Sequence, residues 1–259
     1  MKQYKVALLH LAPELGKIET NKKQVEKAVR LAAAAGADIA ITPETVIPGY
    51  HFAELIGTDW IEPQPDDWLR YMASLAGQLS LNIFLGYQER DPADGRLYNT
   101  VFCLDKSGVI AGRHRKMGIS AGHNAESWAT AGEDVDVIQC DGFKAGVLTC
   151  ADTWGPNHAA KLKSRGAQFI ISPAAWPPRP CPPESCWENR SAETGLPVWV
   201  CNRTGVEPGL DFTGGESVVA IGGNRIMEYK EAAPAILLFD WDINVQQPQQ
   251  NAFEVIKLT

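Results

Sequence analysis

The sequence has no long hydrophobic run and no cluster of basic residues. No stretch reaches the ~18 consecutive apolar residues of a membrane-spanning helix, and the apolar segment near the N-terminus is too short and too interrupted for a secretory signal. The chain has 24 Lys and Arg against 31 Asp and Glu, a formal net charge of −7, which argues against a nucleic-acid partner. We therefore expect a cytoplasmic protein that binds neither nucleic acid nor a membrane.

Signatures of cofactor binding are also missing. Neither the phosphate-binding loop of P-loop proteins nor the dinucleotide fingerprint occurs. Six cysteines are present, but Cys181 and Cys186 do not combine with nearby histidines at the spacing of a zinc site. Most cysteines of a cytoplasmic chain are reduced thiols packed as small hydrophobic side chains. We expect no cofactor and no metal.

Apolar β-type runs alternate with helical stretches along most of the 259 residues. No linker interrupts this pattern, so we predict one domain over residues 1–259, in which residues 246–259 form a C-terminal tail that packs on a partner subunit. The strand-like runs 82–89 and 97–105 flank a turn-rich segment, which predicts a hairpin. Because such tight links leave no room for helical crossovers, the α/β class with mixed sheets is favoured.

Three predicted strands end near a side chain that can perform acid–base or nucleophilic chemistry. Glu44 closes the run 38–44, Lys116 follows two arginines, and Cys150 closes the apolar run 143–150. Ligand sites in α/β proteins favour such strand ends. Each residue also has an ordinary interpretation: a solvated turn glutamate, a basic surface edge and a buried structural cysteine.

A thiol, a carboxylate and an ammonium together suffice for acyl transfer without histidine. A thiol with a pKa of ~8.5 is mostly protonated at neutral pH, so Glu44 would accept the proton of Cys150 during attack and return it to the leaving amine. Lys116 would stabilise the tetrahedral oxyanion.

Several motifs, in this order, resemble those of the nitrilase superfamily, the carbon–nitrogen hydrolases with a Glu-Lys-Cys triad. PETVIPGY, YNTVFCLDKSGVIAGRHRK and GVLTCAD resemble the three triad segments, which implies Glu44, Lys116 and Cys150. NAESWATAG resembles the segment that carries a second glutamate, here Glu126. Residues of two later segments match as well: Arg190, Glu193, Asn202, Gly205, Gly215 and Ser217. The resemblance covers roughly residues 4–245.

The resemblance implies a four-layer αββα sandwich, in which helices flank two mixed sheets, and a homodimer or higher homo-oligomer. It further implies that the backbone N–H of Ala151 shares the oxyanion hole with Lys116. The implied activity is cofactor-free hydrolysis of a linear, non-peptide C–N bond of a small amide. A cysteine thioester would be the intermediate, and ammonia or an amine would be released.

One departure from the family pattern bears on the substrate. The chain has Cys150-Ala151-Asp152 where the pattern of true nitrilases is Cys-Trp-Glu. This difference favours amide over nitrile substrates. A nitrilase or N-carbamoyl hydrolase reaction, acyl transfer to an amine, and a catalytically silent binding or regulatory homologue remain alternatives. Tyr50, Trp154 and Trp176 are predicted to line the substrate pocket, with structural packing as the other interpretation.

Overall fold

The computed structural model describes residues 3–119, 126–140, 142–178 and 185–258. The helices are α1 (Ile18–Ala34), α2 (Phe52–Ile56), α3 (Asp67–Leu79), α4 (Pro156–Ser164) and α5 (Cys186–Thr194). The strands are β1 (Gln3–His10), β2 (Ile39–Ile41), β3 (Asn82–Arg90), β4 (Leu97–Leu104), β5 (Ile110–Arg115), β6 (Val137–Cys140), β7 (Phe143–Val147), β8 (Phe169–Ala174), β9 (Val198–Asn202), β10 (Val206–Glu207), β11 (Leu210–Asp211), β12 (Ser217–Ile221), β13 (Asn224–Tyr229), β14 (Ala235–Asp242), β15 (Gln247–Pro248) and β16 (Glu254–Lys257).

The strands form two large mixed sheets, as the sequence predicts. The first has the order β15-β14-β1-β2-β3-β4-β5, with β16 also paired to β14, and the second has the order β13-β12-β9-β8-β7-β6. The central pairs β1/β2, β2/β3, β7/β8 and β8/β9 are parallel. The predicted hairpin is confirmed, because residues 83–90 of β3 pair antiparallel with residues 97–104 of β4.

Three apolar clusters account for the layers. One cluster fills the space between the two sheets, where Trp199 of the second sheet meets Phe239 of the first. A second joins α1 and α3 to the first sheet, and a third joins α4 and α5 to the second sheet. The four-layer αββα sandwich is therefore confirmed.

The helices follow from local sequence. The apolar face of α1 is buried through Val25, Ala28, Val29 and Ala32. Helix α3 begins at an Asp66 cap, whose side chain accepts a hydrogen bond from the Leu69 N–H at 2.7 Å. None of the described helices is both long and apolar enough to cross a membrane.

Two predicted strands are shorter than expected, and both end just before a candidate site residue. The run 38–44 is a strand only over β2, because Pro43 has no N–H to donate to a sheet. The run 143–150 is a strand only over β7, and Cys150–Thr153 forms a short 3₁₀ turn. Glu44 and Cys150 therefore lie in turns beyond the strand ends.

The C-terminal tail adds a strand to its own chain. Strand β16 pairs antiparallel with β14, the Phe253 ring meets Phe239 with centroids 5.9 Å apart, and Ile256 packs against the helix-facing core. Among the large hydrophobic residues that the structure describes in the tail, only Val255 is exposed. Packing of the tail on a partner subunit stays a prediction, now centred on Val255.

Candidate active site

Glu44 lies in the turn after β2 and is completely buried. Asn99, on strand β4 of the same sheet, donates its side-chain N–H to Glu44 Oε1 at 2.7 Å. The backbone N–H of Ala175, which follows β8 of the other sheet, donates to Glu44 Oε2 at 3.0 Å. Both carboxylate oxygens are therefore held, one by each sheet.

Lys116 follows β5 and is also completely buried. Its Nζ donates to Glu44 Oε1 at 2.7 Å and to Glu126 Oε1. Burial by itself would lower the pKa of Lys116, but the negative charges around it, that of Glu44 first, raise the pKa well above its usual value. Lys116 is therefore a permanent ammonium at this site.

Glu126 completes a triangle of charged groups with Lys116 and Glu44. Burial first, and then the neighbouring Glu44 carboxylate, raise the pKa of Glu126 to about 7, against the opposing effect of Lys116. Asn99 also lies 3.4 Å from Glu126 Oε1. One ammonium thus forms ion pairs with two carboxylates, and Glu126 is partly protonated near neutral pH.

Cys150 begins the 3₁₀ turn with a φ of 48°, in the left-handed region that residues with a side chain rarely adopt. Its thiol interacts electrostatically with Glu44, Lys116 and Glu126, and the Ala175 N–H also faces the sulfur. Burial first, and then Glu44, raise the pKa of the Cys150 thiol well above its usual value. The resting thiol is therefore protonated and needs a base before it can attack.

The four residues predicted from the sequence thus lie in one cluster, with groups suited to nucleophilic attack. A protonated thiol lies beside a carboxylate that can accept its proton, and an ammonium is available to a developing negative charge. Ala151 directly follows the sulfur-bearing residue, and the first N–H groups of a helical turn have no partner within that turn. Its N–H is suited to an oxyanion for this reason.

The three predicted pocket residues differ in their relation to the cluster. The Tyr50 hydroxyl interacts electrostatically with Glu44, Lys116 and Cys150. Burial is the main cause that raises the pKa of Tyr50 above its usual value. Trp176 is buried directly after Ala175, and its ring meets the Trp154 ring edge-on with centroids 6.0 Å apart. Trp154 is 37% exposed, so it lies at the surface end of this aromatic pair.

Two of the matched later residues support the segments that follow Cys150 and Ala175. Arg190 donates to the carbonyls of Thr153 and Trp154, each at 2.8 Å, and so holds the turn after Cys150. Asn202 accepts from the Trp176 N–H and donates to the Trp176 carbonyl, each at 2.9 Å.

Two groups that contact the cluster are not predicted from the sequence: the Asn99 side chain and the backbone N–H of Ala175. Asn99 is a buried polar residue in the otherwise largely apolar strand β4, and that irregularity is the signal that could have found it. Glu207 is likewise not predicted; it accepts from the Tyr50 and His51 N–H groups at 2.9 Å and contacts the buried Arg203. Glu207 fixes the loop that carries Tyr50.

Within the part of the chain that the structure describes, no group of three or more His, Cys, Asp and Glu side chains could hold a metal ion. Cys181, considered above as a zinc ligand, lies outside the described residues.

Comparisons with known proteins give one consistent result. A 2-oxoglutaramate amidase of Bacillus subtilis is 28% identical over 231 residues, which cover 87% of this chain and 86% of the amidase. A glutamine-dependent NAD(+) synthetase of Thermotoga maritima is 26% identical over 251 residues, which cover 94% of this chain but 43% of the synthetase. The chain therefore spans less than half the length of that relative.

The fold has close structural counterparts. Saccharomyces cerevisiae Nit3, described as a member of branch 10 of the nitrilase superfamily, matches with a TM-score of 0.82 at 21% identity, over 94% of this chain and 93% of Nit3. The family model for carbon–nitrogen hydrolases matches residues 5–248. The chain belongs to the carbon–nitrogen hydrolase family.

Proposed function

We propose that this chain hydrolyses a small linear amide through a thioester on Cys150 and releases ammonia or a small amine. The proposal depends on one observation: the buried Lys116 ammonium contacts Glu44 and Glu126 beside the Cys150 thiol. The Cys150-Ala151-Asp152 sequence and the similarity to a 2-oxoglutaramate amidase support an amide rather than a nitrile.

In the acylation step, Glu44 accepts the Sγ proton as the sulfur of Cys150 attacks the amide carbon. The carbonyl oxygen becomes an oxyanion, stabilised by the Lys116 ammonium and the Ala151 N–H. Glu44 then returns the proton to the amide nitrogen, the C–N bond breaks, and ammonia or an amine leaves. The acyl group remains on Cys150 as a thioester.

Deacylation uses water in place of the thiol. Glu44 accepts a proton from water as its oxygen attacks the thioester carbon, and the same oxyanion site stabilises the second tetrahedral intermediate. When the C–S bond breaks, Glu44 returns this proton to the Cys150 sulfur and the acid product leaves. Glu126 orients Lys116 or the substrate in both steps, and Tyr50, Trp154 and Trp176 surround the acyl group. No cofactor takes part.

The assembly is the second part of the proposal. We propose a homodimer or a larger homo-oligomer that works on a small-molecule amide and water, without nucleic acid or a membrane as partner. The exposed Val255 side chain of the tail is the feature that favours a contact between subunits at this edge.

Ammonia release tests the proposed reaction directly. Monoamides, ω-amides, N-carbamoyl amines and nitriles are incubated with the protein, ammonia is measured, and intact mass is recorded after rapid acid quench. We expect turnover and an acyl adduct on Cys150 with at least one amide. Cys150→Ala should abolish both, while its thermal unfolding stays that of a folded protein.

Cys201→Ala is the matched control, because Cys201 is another fully buried thiol with a raised pKa, in the core between the sheets. It should keep turnover and adduct. Turnover of nitriles alone would replace the amidase proposal by a nitrilase. If no compound class yields ammonia or an adduct, the result would favour the silent binding homologue.

A further inference from the structure

A single buried carboxylate connects the segment after Lys116 to the segment that carries Cys150. Asp152 Oδ1 accepts from the backbone N–H groups of Met117 at 2.9 Å and Gly118 at 2.6 Å. Asp152 Oδ2 accepts from the Thr149 N–H at 3.0 Å and from His114 Nε2 at 2.7 Å. We call Asp152 and these four donors, His114, Met117, Gly118 and Thr149, the Asp152 clamp.

The clamp satisfies a full negative charge without solvent. Both Asp152 and His114 are buried, and the two carboxylate oxygens offer about four acceptor sites, all of which are used. Burial alone would raise the pKa of Asp152, but the hydrogen bond from His114 and the backbone donors hold it below its usual value. His114 bonds Asp152 through Nε2, and its Nδ1 has no hydrogen-bond partner among the described residues.

Backbone packing brings the same two segments into contact. A Cβ atom added to Gly118 would lie 3.0 Å from the Ala151 carbonyl carbon and 3.1 Å from the Asp152 nitrogen. Such contacts are tighter than van der Waals packing allows between unshifted backbones, so a larger residue would separate the segments. The position of Lys116 relative to Cys150 is therefore set by direct contact, in addition to the hydrogen bonds.

We propose that His114 and Asp152 form a positioning pair, which fixes the distance between the Lys116 ammonium and the Cys150 sulfur. His114 lies two residues before Lys116, and Asp152 lies two residues after Cys150. The hydrogen bond between His114 and Asp152 therefore joins the segment of Lys116 to the segment of Cys150. This inference rests on the proposed function and deepens it. Both side chains are buried in the clamp, so the pair acts through Lys116 and Cys150.

Loss of the His114 donor should misplace the catalytic groups without closing the pocket. His114→Phe keeps a planar ring but leaves Asp152 Oδ2 with one donor, an unfavourable state for a buried charge. We expect kcat for a small amide to fall about 10²-fold, as a displacement near 1 Å can cause, with KM within about threefold of wild type. His114→Gln keeps an N–H donor close to the Nε2 position and should restore most of kcat.

A second readout needs no substrate. The rate at which iodoacetamide alkylates Cys150, followed by peptide mass against pH, reports the pKa of the thiol. Lys116 lowers that pKa while Glu44 and Glu126 raise it, and Tyr50 is the other titratable group at the thiol. All four remain in His114→Phe. If Lys116 moves away, the midpoint should shift to higher pH by at least about 0.5 unit.

His10→Phe is the matched control, because His10 is another buried histidine, whose Nδ1 contacts Ser217 Oγ at 3.1 Å outside the clamp. It should lower thermal stability while keeping kcat and the alkylation midpoint. The positioning role is overturned if His114→Phe leaves both readouts at their wild-type values, or if His114→Gln restores neither.

The two proposals fail in different ways. If the wild-type protein hydrolyses no amide, the proposed function fails, and the alkylation midpoint alone then decides on the positioning pair. A midpoint that shifts in His114→Phe and returns in His114→Gln supports the pair even in that case.

Discussion

Lys116 is one cation between two carboxylates, Glu44 and Glu126, and all three side chains are buried. The site therefore carries an excess of negative charge in a medium of low polarity. Burial first, and then this excess of negative charge, raise the pKa of Glu126 and of the Cys150 thiol. Replacement of Lys116 by a neutral residue should accordingly change both the rate of the proposed reaction and the net charge of the site.

Lys116→Met should lower kcat for amide hydrolysis about 10²- to 10³-fold, the usual loss of one oxyanion donor. Steady-state ammonia release measures this effect. Lys144→Met is the control, because Lys144 is an exposed lysine on β7 and should keep wild-type turnover. A Lys116→Met enzyme with wild-type kcat would remove Lys116 from the mechanism.

Glu126 should make stability depend on pH. Its pKa of about 7 in the folded protein exceeds the value of ~4.3 expected in the unfolded chain. Between these values the folded state holds a proton that the unfolded state has lost, so the free energy of unfolding falls as the pH rises. The slope reaches at most about 1.4 kcal/mol per pH unit.

Glu126→Gln removes this titration, so its stability should fall less steeply than that of wild type over the same interval. Urea unfolding at several pH values between about 5 and 7 measures both slopes. Parallel slopes for the two proteins would show that Glu126 does not titrate in this interval.

At the scale of elements, the turns beyond β2 and β7 decide the geometry of the site. The sequence located Glu44 and Cys150 near strand ends but extended both strands by three residues, to 44 and 150. The left-handed φ of 44° at Thr45 and of 48° at Cys150 is imposed by surrounding structure, because neither residue type prefers that conformation. Local pattern alone does not encode these turns.

The contacts of Glu44 show a second limit of sequence reasoning. Asn99 comes from β4, two strands away from β2 in the first sheet, and Ala175 from the end of a strand in the second sheet. Their proximity depends on strand order and on how the sheets pack, which hydrophobic periodicity does not specify. The motif resemblance, by contrast, identified Glu44, Lys116, Glu126 and Cys150 because it depends on residue identity in order.

Gly86 on β3 has no side chain, so the backbone of Pro43 and Glu44 can pack directly against the strand. A Cβ atom there would lie 2.2 Å from the Pro43 carbonyl oxygen and 3.1 Å from the Glu44 Cα. Gly86→Ala must therefore displace the turn, and we expect a loss of about 1–3 kcal/mol in the free energy of unfolding. Turnover should fall as well, because Glu44 moves relative to Lys116.

The control for this prediction is Gly155→Ala, where nothing lies within 4 Å of the added Cβ. Urea unfolding and ammonia release are measured on both variants. Equal stability and activity of the two would mean that the turn tolerates displacement and that the close approach at Gly86 is unimportant.

At the scale of the whole molecule, the site spans both sheets, so their packing holds it together. Glu44 and Lys116 follow strands of the first sheet, whereas Cys150 and Ala175 follow strands of the second. Trp199 lies between the sheets: it stacks on Phe169 at 4.0 Å and meets the edge of Trp241 at 5.0 Å.

Trp199→Ala should therefore cost about 3–5 kcal/mol of unfolding free energy, the range for loss of a buried large aromatic side chain. Urea unfolding gives this value, and Val245→Ala, at an exposed apolar residue, should change it by less than about 0.5 kcal/mol. A small loss in Trp199→Ala would indicate that the inter-sheet core can collapse into the cavity.

Val255 tests whether the tail covers a partner subunit. Truncation after Val245 would also remove β16 and uncover Phe239, so loss of assembly could follow from damage within one chain. Val255→Lys avoids this difficulty, because its side chain is exposed on its own chain and the lysine remains solvated there. At an apolar contact between subunits, however, the same charge would be buried without a partner and would oppose assembly.

We expect light scattering to show the mass of a single chain for Val255→Lys, with unchanged thermal unfolding of the subunit. The wild-type protein and the control Val109→Lys, at another exposed valine, should both show the mass of an oligomer. An oligomer of undiminished mass in Val255→Lys would place the subunit contact elsewhere on the molecule.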